Sequence, residues 1–171
     1  MLGLLPFHLT PEQRRVVDGI YGGYAAGKRL ARLVQGDVGS GKTVVGLLAA
    51  LPYMERGGQC AFMAPTEILA SQHHATLSSL LDGTGHTVRL LTSGLRARER
   101  RDILEGLAAG NVHLVVGTHA LIQADVRFNR LDLAIIDEQH RFGVDQRETL
   151  VRKGDNPHIL SLTATPIPRT L

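Results

Sequence analysis

The run Gly36-Asp37-Val38-Gly39-Ser40-Gly41-Lys42-Thr43 constrains this chain more than any other stretch. It has the spacing G-x-x-x-x-G-K-T, with a strand-like run before it, at 30–35, and a helix-like run after it. Glycines let a backbone wrap around an anion without Cβ clashes, so that successive N–H groups point at phosphate oxygens. The helix that follows presents its positive end to the same place. In such a loop Gly36, Gly39, Ser40 and Gly41 cradle the phosphates and Lys42 reaches the β- and γ-phosphates. The Thr43 hydroxyl can take one site on Mg²⁺. A glycine–serine loop that only caps a helix would not require this whole pattern with these flanks.

The rest of the chain alternates between strand and helix patterns. Apolar runs fall at 31–34, 60–64, 88–91, 112–116, 131–136 and 159–162. Helical patterns fall at 44–56, 67–81, 96–109, 120–125 and 145–151. Runs apolar on both faces and separated by helices predict an α/β fold, a mostly parallel sheet with helices on both faces. Right-handed crossovers follow. With 171 residues, 43% of them hydrophobic, the chain can bury a sizeable core as one domain. Thr10, Pro11 and Gln13 form an N-cap, a first helical proline and a capping box for a helix to about Ile20. The glycine-rich segment 21–28 predicts a loop. Pro52 predicts a kink or an early end to the helix after the phosphate loop.

Composition narrows the setting. Cys60 is the one cysteine and lies in an apolar run, which predicts a buried thiol and excludes an intrachain disulfide. No apolar run is long enough to span a bilayer, and the first residues lack the pattern of a secretory signal. A reducing cytoplasm is the expectation. The net charge of +3 suits a polyanion partner and an ordinary solvated surface equally. Arg96, Arg98, Arg100 and Arg101 read as a solvated helix face, with Arg98–Asp102 and Arg101–Glu105 spaced as i,i+4 pairs. His73 and His74 are adjacent, without the spacing of a zinc site.

A second chemical feature follows the fifth apolar run, which leads straight into Asp137-Glu138-Gln139-His140. Adjacent carboxylates at the end of a buried strand are costly unless something pairs with them. In an open α/β sheet that edge is where ligands bind, and the phosphate loop lies on the same edge. Asp137 can hold Mg²⁺, and Glu138 can orient or activate the attacking water. Lys42, Asp137 and Glu138 are therefore the candidate catalytic residues, and Thr43 and Asp137 the candidate metal ligands.

The segment from Asp137 to Val144 resembles the Walker B segment of RecG-type branch-migration helicases of superfamily two. Five other segments agree in order: Leu5-Pro6-Phe7 with Thr10 and Gln13, the phosphate loop, Ala64-Pro65-Thr66-Glu67, Val116-Gly117-Thr118-His119, and Thr163-Ala164-Thr165-Pro166. The resemblance covers nearly the whole chain. It implies a RecA-like P-loop NTPase domain, the first motor of an ATP-dependent DNA helicase acting on forked or branched DNA in recombination and repair. It implies that Phe7 flanks the adenine, Gln13 reads its edge and His140 borders the nucleotide. Pro65, Thr66, Gly117, Thr118 and His119 would grip the DNA backbone without sequence specificity. On spacing alone Thr66 is simply a good N-cap. Gln139, His140, Thr163 and Thr165 would couple the nucleotide site to DNA and to a second motor domain.

The family has Gly then Ser after the third strand, where this chain has Ser93-Gly94, so only the loop position carries over as a DNA contact. The resemblance also implies a second motor domain, with an arginine finger, and an amino-terminal wedge domain, neither of which lies in these residues. Such a half-motor is expected to bind nucleotide and to turn it over weakly or not at all. Transcription–repair coupling factors share the segment around Thr163, but they resemble Asp-Glu-Glu-His where this chain has Gln139, and Gln35 and Ser40 also favour the RecG type. A module that holds nucleotide without hydrolysing it is the reading from a different class, and Glu138 beside Asp137 speaks against it.

Overall fold

The computed structural model describes Gly3 and residues 5–164. The coupling candidate Thr165 lies outside the described residues.

Six strands form one parallel sheet: β1 (Ala31–Gln35), β2 (Gln59–Met63), β3 (Val88–Leu91), β4 (Leu114–Gly117), β5 (Leu131–Asp137) and β6 (His158–Thr163). Their order is β1-β6-β5-β2-β4-β3. Among the described residues the α-helices are α1 (Pro11–Ala25), α2 (Lys42–Glu55), α3 (Glu67–Leu80), α4 (Ala97–Ala109) and α5 (Val144–Val151). The central strand β2 is buried along its whole length. Its alternate side chains divide the core as a pleat requires. Cys60 and Phe62 join α1, α2 and α3 on one face, while Ala61 and Met63 join α4 and α5 on the other. The Cys60 thiol is fully buried, which holds its proton on well above the ordinary thiol range.

The α/β expectation holds, with four local corrections. Helix α1 does not stop near Ile20 but runs to Ala25, through two of the glycines that predicted a loop. Each helical glycine costs about 1 kcal/mol relative to alanine, and here tertiary contacts outweigh that cost. The Tyr21 hydroxyl donates to the Leu48 carbonyl at 2.9 Å and the Tyr24 hydroxyl to the Pro52 carbonyl at 3.3 Å.

The same contacts explain the second correction. Helix α2 carries Pro52 in its interior and still continues to Glu55. A proline has no N–H, so the carbonyl four residues earlier loses its helical partner. That carbonyl belongs to Leu48, and Tyr21 supplies the missing donor. Burial, and then the charge of Glu55, push the Tyr21 hydroxyl up to about 12, so it stays a donor.

Third, the predicted helix at 120–125 is only a 3-10 turn, His119–Ile122. Fourth, the sheet is not covered evenly. β1 is an edge strand in which Val34 alone is buried, and Leu33 is 38% exposed. The arginines of α4 also pair differently from their spacing. Arg100 reaches Asp125 at 2.9 Å and Gln123 at 2.7 Å, Arg101 approaches Glu105 at 3.9 Å, and no Arg98–Asp102 pair forms.

Candidate functional site

The chemistry-bearing segments converge at the carboxyl ends of β1, β5 and β6. β6 pairs with β1 on one side and with β5 on the other. Two backbone bonds seal the junction: Gly36 N–H donates to the Thr163 carbonyl at 3.1 Å, and Glu138 N–H to the Leu162 carbonyl at 2.8 Å. The loop after β1 and the carboxylates after β5 are thus fixed to neighbouring positions on one strand.

Residues 36–41 leave β1 and enter α2 at Lys42. Gly39 and Gly41 both have φ of +81°, a left-handed conformation that favours glycine. Gly41 also packs so closely on the Gln13 side chain that any Cβ would collide with the amide nitrogen. Gln13 closes the predicted capping box with Thr10 and at the same time donates to the Ser40 carbonyl at 2.8 Å. Its capping role and its placement against the phosphate loop are therefore compatible. Lys42 Nζ donates to the carbonyls of Gly36 and Asp37, each at 2.8 Å. A cavity of about 350 Å³ lies beside the loop, lined by Thr10, Gln13, Gly36, Asp37, Ser40 and Lys42 among others. Phe7 is 46% exposed and does not line it. A larger groove of about 1080 Å³ runs along β3 at the far edge of the sheet and includes none of these residues.

The carboxylate pair divides into two environments. Asp137 is the last residue of β5 and is 6% exposed. Glu138 turns the chain with a φ of +50°, strained for a residue with a side chain. Its carboxylate accepts from the Ala164 N–H at 3.1 Å and from the Thr163 hydroxyl at 3.3 Å. His140 Nδ1 approaches the same carboxylate at 3.5 Å, and Arg147 donates to the Gln139 side chain at 3.3 Å. Of the candidate coupling residues, Thr163 and His140 reach the Glu138 carboxylate, while the Gln139 side chain is held by Arg147.

His73 is the residue that sequence reasoning missed. It lies on α3, and its imidazole contacts Thr43 Oγ1 at 3.0 Å and Asp137 Oδ2 at 2.8 Å. The sequence shows it only as one of a histidine pair in a helix. The signal was its place on the helix that starts from Pro65-Thr66-Glu67.

The candidate DNA residues lie along the same sheet edge. Thr66 caps α3, accepting from the Leu69 N–H at 3.2 Å. Glu67 accepts from the Ser93 hydroxyl at 2.6 Å and the Ser93 N–H at 3.2 Å, which ties the loop after β2 to the loop after β3. The Ser93 hydroxyl bond lowers the Glu67 carboxyl below its usual range, and backbone groups and the charge of His119 act in the same direction. Gly117 is buried, and a Cβ there would collide with the Leu91 carbonyl. Thr118 does not offer its side chain to a ligand: it is 1% exposed, and its hydroxyl is buried without a hydrogen-bond partner among the described residues. His119 is the exposed member of that trio, and Pro65 is half-buried.

A parallel sheet in this order, with a glycine-rich loop after β1 and a carboxylate pair after β5, defines a RecA-like P-loop domain. The chain belongs to the DEAD/DEAH box helicase family, whose model matches residues 10–171. It is 55% identical over 168 residues to the ATP-dependent DNA helicase RecG of Synechocystis sp., covering 98% of this chain and 20% of that protein. With the ATP-dependent DNA helicase RecG of Bacillus subtilis it shares 52% identity over 167 residues, 98% of this chain and 24% of the relative. The chain thus spans a fifth to a quarter of the length of these curated relatives. A structure of RecG bound to a three-way DNA junction matches with a TM-score of 0.83 and 47% identity, over 96% of this chain and 22% of that one. The UvsW helicase of bacteriophage T4 matches with a TM-score of 0.70 at 17% identity and shares the fold. Among the described residues no helix is long and apolar enough to cross a membrane.

Proposed function

We propose that this chain is the first motor domain of a RecG-type helicase, in which ATP binding and hydrolysis drive unwinding or branch migration of forked and junction DNA. The observation that carries the reading is the junction of β1, β5 and β6. There the phosphate loop and Glu138 are both hydrogen-bonded to β6, Asp137 lies in register with Leu162 of the same strand, and the Glu138 carboxylate is bonded directly to Thr163 and Ala164. A carboxylate that must sense both water at a γ-phosphate and the state of a neighbouring segment needs this arrangement.

The residues fit ATP and Mg²⁺. The loop offers backbone N–H groups at the start of α2, and the cavity beside it reaches Gln13 and Thr10. Thr43 and Asp137 supply a hydroxyl and a carboxylate, hard oxygen donors of the kind magnesium takes. Thr43 and Asp137 would hold the ion, whose chemistry there would be to neutralise charge on the phosphates. Lys42 leaves the Gly36 and Asp37 carbonyls to reach the phosphates. Glu138 orients the attacking water and accepts its proton. Gln139, His140 and Thr163, joined to Glu138 or to its strand, relay that change to DNA and to a second motor domain. On the DNA side, Pro65 and Thr66 after β2 and Gly117 and His119 at and after the end of β4 grip the phosphate backbone, and Glu67 ties the first of these loops to Ser93 after β3. Thr118 contributes through its backbone.

The test is ATP hydrolysis by the full-length protein with and without forked DNA, beside a Mg-ATP binding titration on this chain. Binding by the chain together with DNA-stimulated turnover by the full-length protein is the expected outcome. Lys42→Ala should weaken nucleotide binding by about tenfold or more, the equivalent of a lost charge-assisted hydrogen bond. Unchanged affinity in that variant would overturn the site assignment.

A further inference from the structure

We propose that His73 is the positioning residue of the metal site, setting the orientation of both protein ligands from the outer shell. The proposal rests on the reading of Thr43 and Asp137 as those ligands.

The imidazole lies between the two candidate ligands, with Nδ1 at 3.0 Å from Thr43 Oγ1 and Nε2 at 2.8 Å from Asp137 Oδ2. An ionised carboxylate only accepts hydrogen bonds, so the proton on this side of the ring sits on Nε2. In the neutral ring that arrangement leaves Nδ1 as an acceptor, and the Thr43 hydroxyl then donates to it. Both consequences favour a cation. With its proton directed at His73, the Thr43 oxygen has its lone pairs free for a metal. With Oδ2 engaged by Nε2–H, Asp137 keeps Oδ1 for the ion or for a water on it. One ring thus aims two ligands from two different elements, the start of α2 and the end of β5.

The ring is itself held. It packs against Phe62, with ring centroids 4.7 Å apart, and Phe62 is fully buried in the central strand. Asp137 has no other side-chain partner among the described residues, and its side chain is 9% exposed. A buried carboxylate with one partner takes its orientation from that partner. Outer-shell partners of this kind typically change metal affinity by about 10- to 100-fold when removed.

The test separates ring packing from hydrogen bonding. His73→Phe keeps an aromatic ring against Phe62 and removes both nitrogens. His73→Gln keeps one donor and one acceptor. Binding of a fluorescent adenine nucleotide is titrated on the full-length protein against Mg²⁺, and binding of Mn²⁺ is followed by electron paramagnetic resonance. His73→Phe is expected to raise the half-saturating Mg²⁺ concentration about tenfold or more. Its nucleotide affinity without metal should stay within about twofold, and His73→Gln should recover most of the metal affinity. An unchanged metal midpoint in His73→Phe, or equal losses with and without metal, would overturn the proposal. If His73→Phe does not fold, His73→Gln is read against His73→Ala, and equal metal affinities in those two overturn it as well. Thr43→Ala and Asp137→Asn are the controls. If they shift the midpoint while His73→Phe does not, the metal site stands and the role of His73 falls. If neither shifts it, the metal-site reading itself is wrong.

Discussion

Glu138 shows how much can hang on one side chain. Its backbone adopts a left-handed conformation, its carboxylate is bonded to Thr163 and Ala164, and its N–H is tied to β6. A residue held in a strained conformation by this many partners is positioned for work rather than for stability. Glu138→Gln keeps the shape and most of the hydrogen-bonding capacity but removes the base. In the full-length protein it should leave ATP affinity within about twofold and lower turnover by about 10²-fold or more, the usual scale of general-base catalysis. Equilibrium nucleotide binding and steady-state hydrolysis measured on the same preparation check this. An equal fall in both would assign Glu138 to binding instead. Asp137, one residue earlier, is set apart by burial: its environment is His73 and the strand end rather than the Thr163 segment. Two adjacent acids acquire two different surroundings because Asp137 ends the strand while the left-handed turn at Glu138 redirects the chain towards β6.

At the scale of elements, α1 and α2 depend on one another. Pro52 breaks the hydrogen-bond ladder of α2, and Tyr21 of α1 repairs it at the Leu48 carbonyl. Tyr21→Phe should therefore destabilise the domain by about 1–3 kcal/mol, the cost of leaving a buried carbonyl unpaired. In a Pro52→Ala background residue 52 regains an N–H, and the same Tyr21→Phe change should cost less than half as much. Chemical denaturation of the four proteins in that cycle measures the difference. Additive effects would show that the hydroxyl and the proline are not coupled. The pairing also accounts for the length of α1. Its glycines favour a loop locally, but Tyr21 and Tyr24 act only if the helix continues to them.

For the whole molecule, acid stability follows from three histidines half-buried at strand and helix margins. His74, His113 and His158 are each held below the ordinary histidine value of 6.5, in every case chiefly by burial. His113 accepts the Thr87 N–H and His158 the Leu30 N–H on Nδ1, so the neutral ring is part of the backbone network. A depressed folded-state value means the unfolded chain binds more protons once the pH falls below 6.5. The stability these rings contribute is complete above that value and is lost as the pH falls through their folded-state values. The thermal midpoint should accordingly drop between about pH 7 and about pH 5, before the carboxylates titrate. His113→Asn, which keeps an acceptor but cannot charge, should flatten part of that slope. A midpoint independent of pH over this range would contradict the assignment.

The α/β class, the phosphate loop, the acid pair and the order of all six strands along the chain were readable from the residues, because each depends on local pattern. Glycine spacing sets the loop's conformation, and uninterrupted apolar runs set buried strands. The capping box of Thr10 and Gln13 is local in the same sense, since both partners lie within one helical turn. Other features depended on which residues the fold brings together. Helix α1 outlasted its glycines because α2 needed its tyrosines. Arg100 left its own helix to pair with Asp125. Thr118, expected at a ligand, was withdrawn into the core by the close packing of β3 and β4 around Gly117. His73 joined the site because α3 passes over the ends of α2 and β5, at separations of 30 and 64 residues along the chain. No local pattern encodes contacts at that range, since they arise only when the sheet order places those ends side by side.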